Sequence, residues 1–339
     1  MSVTAAVMAF GIAAIVSAAL VEVIRRWALR KDILDHPDHR TSHTVPTPRG
    51  GGIAIVAVTL AGLALLQPTR ACAALALPAL AIAIVSWIDD VYGTPAALRF
   101  AVHLGAAIAA VAWFGGWRDL ALPFIGNIHL GTFGIVITVI WIAGFTNAYN
   151  FMDGIDGIAG LQAVIAGIAW TVIAFQLALP LVGSAGALIA GASAGFLFHN
   201  WSPARIFMGD VSSAFLGFVL ALLAVIGPPL QGIALVWPFV FDSGFTMIRR
   251  ALHREKIWTP HKSHLYQRLH QSGWSHARVS LLYGALALLG CITIVAPAAG
   301  VVVIASAAIA LWAFVTLRER HVAQRRADVG DRYVPGERA

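Results

Sequence analysis

The stretch "FGIVITVIWIAGFTNAYNFMDGIDGIAGLQAVIAGIAWTVIAF", Phe133 to Phe175, decides the fold. Two apolar runs, each close to the roughly 20 residues that cross a bilayer as a helix, flank a polar stretch from Asn147 to Gly157. The same alternation recurs along the chain. Of its 339 residues only 12% are charged and 59% are hydrophobic, with a mean hydropathy of +0.80, whereas a soluble domain is nearer a quarter charged. The fold class is therefore all-α: a polytopic integral membrane bundle of 10–11 transmembrane helices. Eleven spans are expected, near 3–24, 50–66, 71–88, 98–116, 131–149, 158–178, 182–198, 213–227, 231–248, 277–296 and 298–317. Residues 1–317 form one membrane domain with active-site loops, and 318–339 a basic tail. The arginines follow the first apolar run rather than precede it, so an anchored first helix is expected, not a cleaved signal peptide. Cys72 and Cys291, in or beside apolar runs, offer no disulfide or metal pattern.

Lysine and arginine set the orientation. Of the 23, only Arg70 and Arg118 fall in one set of alternate loops; the others lie in loops 25–49, 89–99, 199–212 and 249–278 and in the tail. That side is expected to be cytoplasmic, with the N-terminus outside and the C-terminus inside. The net charge of +7 is then explained by topology and anionic headgroups, and nucleic acid is excluded because no basic face is interleaved with aromatics. Of the 16 acids only Asp119 lies on the outer side. Acids hardly influence orientation, and several sit at span ends, where an ionisable group is a functional candidate.

Five constellations occupy the basic side. In "IDDVYGTPAALRF" the adjacent Asp89 and Asp90 repel each other and call for a cation or proton, and Arg99 follows. In "NAYNFMDGIDG", Asn147, Asn150, Asp153 and Asp156 recur every three residues. On one helix that spacing drifts by about 60° a step, so the four could not face one ligand; Gly154 and Gly157 suggest a break that lets Asn150 and the aspartates converge. "HNWSPARIFMGDVSSAF" sets Phe207 three residues before Asp210, an aromatic that could stack on a base. "RRALHREKIWTPHKSHLYQRL" gathers His261, Lys262, His264 and Arg268, a poor zinc site but a good phosphate-binding group. "HRTSHTVPTPRGGGIAI" forms a tight loop that places Arg49 against an anion. Hard oxygen ligands without thiolates suit Mg²⁺, or Mn²⁺, and cations around them suit a diphosphate. The chemistry is phosphoryl transfer with a membrane-embedded partner. A transporter would need acids near mid-bilayer and on both sides of its site; a non-catalytic polyprenyl-lipid-binding protein would not need Asp210.

"DDVYGTPAALR", "NAYNFMDGIDGIAG", "IFMGDVSSAF" and "PHKSHLYQRL", in this order over roughly residues 35–275, resemble the polyprenyl-phosphate N-acetylhexosamine-1-phosphate transferases (glycosyltransferase family 4). That family includes the phospho-MurNAc-pentapeptide translocase. The last motif is most similar to the subgroup that starts O-antigen or capsule repeat units. The resemblance implies a helical bundle around a cytoplasmic cleft, which moves a HexNAc-1-phosphate (GlcNAc, FucNAc or QuiNAc type) from a UDP-sugar to undecaprenyl phosphate and releases UMP. It implies that Asn150 and Asp210 contact the metal, that Asp153 and Asp156 are the acidic pair of the nucleotide site, that Phe207 stacks on uracil and that Asn200 contacts uridine. Asp89 and Asp90 match paired acids near the acceptor phosphate, Arg99 a basic residue that contacts it, and His264 the first histidine of a His-x-His-His pattern. Asp89, Asp90 and Asp210 are the expected catalytic residues, Asp89 often being assigned as a base in the family. The next two histidines of the pattern are Tyr266 and Gln267 here, so His261, Lys262 or Arg268 are expected to stand in for them. The expected partners are undecaprenyl phosphate, a UDP-N-acetylhexosamine and the bilayer, with a homodimer left open; the expected place is a bacterial inner membrane.

Overall fold

A computed structural model describes residues 1–35, 45–255 and 261–330. Parts of the expected basic loops (36–44 and 256–260) and the end of the tail (331–339) lie outside the described residues. The first half is α1 (Val3–Arg30), α2 (Ile53–Leu66), α3 (Arg70–Tyr92), α4 (Ala96–Phe114) and α5 (Phe133–Met152). The centre is α6 (Ile158–Leu177), α7 (Pro180–Asn200) and α8 (Asp210–Ile226). The remainder is α9 (Pro229–Leu235), α10 (Trp237–Leu252), α11 (Leu265–Gln271), α12 (His276–Gly290), α13 (Ile292–Val295) and α14 (Pro297–Gly330). Among the described residues eight helices are long and apolar enough to cross a membrane, counting α12 and α13 as one, while α2 and α8 are shorter apolar helices. The protein is thus a polytopic all-α membrane protein.

The expected spans fall on these helices in order, with local departures. The ninth, 231–248, is two helices that break at Val236. Pro238, in the first turn of α10, has no N–H to bond back across the break, and its ring would crowd a carbonyl four residues earlier. The boundary expected at 317 falls inside α14, because the residues beyond it (Arg318, Glu319, Arg320) are good helix formers. Two small antiparallel pairs also stand among the helices. β1 (Leu34–Asp35) pairs with β2 (Thr47–Pro48), and β3 (Asp119–Leu122) with β4 (Gly126–His129).

The core sits around α7 and α8. Every residue of α8 from Val211 to Ala224 is buried, as a helix that is apolar all round should be. α3 and α5 pack on α8, and α1 and α6 on α7. Small residues allow backbone-close approach: a Cβ on Gly191 would stand 2.3 Å from the Phe10 carbonyl oxygen, the packing that lipid, which does not drive helices together, favours. A Cβ on Gly217 of α8 would stand 2.8 Å from the Tyr149 Cβ of α5. This close crossing brings the end of α5 against the head of α8.

Candidate active site

The head of α8 is assembled from three chain segments. Gly51 N–H donates to the Phe207 carbonyl at 2.9 Å and Gly52 N–H to the Met208 carbonyl at 3.0 Å, so the loop before α2 zips onto the segment before α8. A Cβ on Gly52 would lie 2.2 Å from the Ser212 Cβ, which is why this loop is glycine-rich. The first two backbone N–H groups of α8, on Asp210 and Val211, both donate to Asp90 at 3.1 Å, satisfying donors that a helix start leaves open. Arg49 stands 3.7 Å from Asp90 and 3.6 Å from Asp35.

Asp89 and Asp90 turn to different partners, because neighbours on a helix diverge by about 100°. While Asp90 caps α8, Asp89 accepts from Thr94 N–H at 2.6 Å, from the Thr94 hydroxyl at 2.8 Å and from Arg99. Neither carboxylate is left as a free base. The other side of Arg99 reaches Asp210 at 3.2 Å. Asp210 also accepts from the Asn150 amide at 3.1 Å, and the Asn150 carbonyl oxygen accepts from Ser213 at 2.5 Å. Asp89, Arg99, Asp210 and Asn150 therefore form one chain of contacts across α3, α4, α8 and α5.

The break expected in "NAYNFMDGIDG" is present: α5 stops at Met152, and Gly157 takes a left-handed φ of +80° before α6. Asn147 stays on the helix and donates to Ala143 in its own preceding turn. Asp153, Asp156 and Asp210 all line one cavity of about 170 Å³, with Arg49 and Phe207. Burial, with the nearby Asp210 and Asp90 carboxylates, pushes the Asp153 carboxyl up to about 8. Asp156 differs. Burial would raise it too, but His276 at 3.1 Å and the Ala204 N–H at 3.2 Å hold it below the usual carboxylate range. Asn200 lines the cavity, yet both ends of its amide are engaged: it accepts from Gly157 N–H and donates to the Ile206 carbonyl, each at 2.9 Å. It clamps two loops together rather than offering a free polar end.

The histidine loop corrects other expectations. His264 is buried and donates to Asp242 at 3.1 Å. Asp242 of α10, itself fully buried, also accepts from the Leu265 and Tyr266 N–H groups, from Tyr283 and from Thr246, and so fixes the start of α11. Tyr266 donates to the Phe151 carbonyl at 3.0 Å, closing the frayed end of α5. Where the family pattern has a histidine, this chain has a structural clamp. Arg268 pairs with Glu319 of α14 and points away from the cavity. Lys262 does not line it either; its carbonyl accepts from Gln271. Burial, with His264 and Arg250 nearby, lowers His261 to about 4, so it is neutral at pH 7 and supplies no cation. None of these three residues lines the cavity. The motifs missed Asp35 and His276 on the cavity wall, and the buried Asp242 stood out in the sequence only as one of the span-end acids. Asp242 had a signal, a carboxylate in an apolar run; a lone His276 in a basic loop had none.

A family model described as glycosyl transferase family 4 matches residues 72–228, the segment that holds Asp89, Asp90, Arg99, Asn150 and Asp210. The chain is 33% identical over 288 residues to a protein of Bacillus subtilis (strain 168) described as a probable undecaprenyl-phosphate N-acetylglucosaminyl 1-phosphate transferase, covering 81% of this chain and 80% of that one. It is 30% identical over 295 residues to the decaprenyl-phosphate N-acetylglucosaminephosphotransferase of Mycobacterium leprae (strain TN), covering 75% and 74%. It is also 30% identical over 302 residues to the phospho-N-acetylmuramoyl-pentapeptide-transferase of Synechococcus sp. (strain JA-3-3Ab), covering 81% and 86%.

Proposed function

The chain belongs to glycosyl transferase family 4 and is an enzyme that transfers a sugar phosphate to a polyprenyl phosphate; on that premise we propose its substrates and the work of each residue. The donor is a UDP-N-acetylhexosamine, with UDP-GlcNAc first among the GlcNAc, FucNAc and QuiNAc types because the relatives named above include two GlcNAc-phosphate transferases. The acceptor is undecaprenyl phosphate, at the cytoplasmic face of a bacterial inner membrane. The product begins a cell-surface polysaccharide, O-antigen among them. The observation that carries this reading is Asp210 at the head of a buried helix, held between Arg99 and Asn150 at the edge of a cavity with an aromatic wall.

A divalent cation, Mg²⁺ or Mn²⁺, fits Asp210 and Asn150. The Asn150 amide lies 3.1 Å from the Asp210 oxygen, near enough that one cation would be held by both side chains. A half-turn of the Asn150 amide presents its oxygen to that position, and Ser213, whose hydroxyl both donates and accepts, bonds either orientation. Among the described residues no three His, Cys, Asp or Glu converge into a closed metal cage, in keeping with a Mg²⁺ that takes the rest of its shell from water and diphosphate. When bound, the cation neutralises charge on the diphosphate.

The protein's own residues do the remaining work. Arg99, aimed by Asp89 and Thr94, holds the acceptor phosphate beside Asp210. Arg49 draws charge from the departing UMP, and Phe207 stacks on its base. An acceptor oxygen bonds to the sugar-bearing phosphorus as the bond from that phosphorus to the UMP oxygen breaks, and UMP leaves with the electron pair. The acceptor monoester, with a second pKa near 6, is mostly dianionic at pH 7 and needs no base. Asp89 is accordingly a positioning residue. Proteoliposomes with undecaprenyl phosphate and a panel of UDP-sugars, assayed for UMP release, test the reading. Asp210→Asn should lower transfer by at least about 100-fold, the scale of losing a preorganised electrostatic group; wild-type turnover at ordinary Mg²⁺ would refute the assignment.

A further inference from the structure

His276, the first residue of α12, stands on the cavity wall outside every motif. Its Nδ1 stands 3.1 Å from Asp156 Oδ2, with the two side chains 11% and 9% exposed. Its Nε2 makes no hydrogen bond to a described residue. Docking of α12 does not depend on this contact, since Ser280, one turn further on, already donates to the Asp156 carbonyl at 2.7 Å.

The cavity wall carries two chemically different carboxylates. Asp153 lies among the charges of Asp210, Asp90 and Arg49, a setting for a cation and a diphosphate. The Asp156 carboxylate is met by His276, by Ala204 N–H and by Ser202, the last two on the same 201–207 segment that carries Phe207. A satisfied carboxylate is a poor partner for a metal or a phosphate. A hydrogen-bonding edge beside an aromatic ring suits an uncharged heterocycle.

We propose that His276, oriented by Asp156, is a specificity-determining contact for the uracil ring of the donor nucleotide. In the tautomer that gives Nδ1–H to Asp156, Nε2 is an acceptor. Uracil offers it the N3–H, and cytosine, whose N3 is itself an acceptor, cannot. The inference rests on the nucleotide-sugar reading above.

Calorimetric titration of UMP and CMP into the purified full-length protein, beside steady-state kinetics, tests it. Wild type should prefer UMP. His276→Ala should weaken UMP about tenfold, the scale of one lost hydrogen bond, and erase the preference over CMP. It should raise KM for the UDP-sugar by the same factor and leave kcat and the acceptor KM within about twofold. His276→Gln, which keeps an acceptor and a donor, should recover part of the loss, and it decides the matter if the alanine variant does not fold. Unchanged UMP affinity, or equal losses for UMP and CMP, would overturn the role of His276. A wild-type protein that binds neither nucleotide would instead sink the nucleotide-sugar reading itself.

Discussion

Asp153 is the residue whose protonation the site sets against its neighbours. With its carboxyl pushed up to about 8 by burial and by Asp210 and Asp90, the folded protein keeps a proton that the unfolded chain releases near 3.9. Across that interval the unfolded state binds fewer protons, so stability falls as pH rises. The contribution is full below about pH 4 and is lost as pH passes about 8. In chelator, the thermal midpoint in detergent should therefore drop between pH 6 and 9. Asp153→Asn, which keeps the shape of the neutral acid, should flatten that slope, and a slope identical to wild type would assign the proton elsewhere. A divalent cation at Asp210 and Asn150 should reduce the same slope by favouring the ionised acid. Asp156, three residues on, is held in the opposite sense by His276, so one glycine-interrupted turn supplies a proton-bearing acid and an ionised one.

The element on which the site turns is α8, whose head is fixed by Asp90 and by the glycine loop before α2. A Cβ at residue 52 would meet Ser212 Cβ at 2.2 Å and the Met208 carbonyl oxygen at 2.7 Å, backbone and near-backbone atoms that cannot rotate away. Gly52→Ala should cost about 1–3 kcal/mol, the usual scale of overpacking, and by pushing the head of α8 aside it should lower kcat at least as much as it lowers the thermal midpoint. An unaltered midpoint and kcat would mean that the two segments are not packed this closely. The break after Met152 was legible, because glycines interrupt a helical pattern there. The division of the ninth span was not: Pro238 follows an unbroken apolar run, and a proline is as compatible with the first turn of a helix as with a kink. Nor were the partners of Asp89 and Asp90 legible, because which way adjacent side chains point depends on helix phase against α4 and α8. Arg268 misled for a related reason. Its type is compatible with a ligand, but a contact to Glu319, 51 residues away in sequence, had already claimed it.

At the scale of the molecule, every polar connection discussed above meets at one end of the bundle, and the β3–β4 hairpin stands at the other. α4 separates them: Arg99 lies in its first turn, the hairpin follows its last, and its 19 residues span about 28 Å. The hairpin tip, Phe124 and Ile125, is 77% and 70% exposed, and only Arg118 and Asp119 bring charge to that end of α4 and α5. The basic end holds Arg249, Arg250 and the exposed His253 at the close of α10. In the proposed orientation the basic end faces the cytoplasm, where nucleotide sugars are made and where the donor cavity must open if the proposed substrate is right. Labelling of intact cells with a membrane-impermeant maleimide separates the orientations, because the native cysteines give little background: Cys72 is buried, and Cys291 lies between α12 and α13 within a membrane span. Ile125→Cys should react in intact cells, and His253→Cys only after permeabilisation. The reverse pattern would turn the cavity outward, away from any cytoplasmic donor, and the substrate proposal would fall with the orientation.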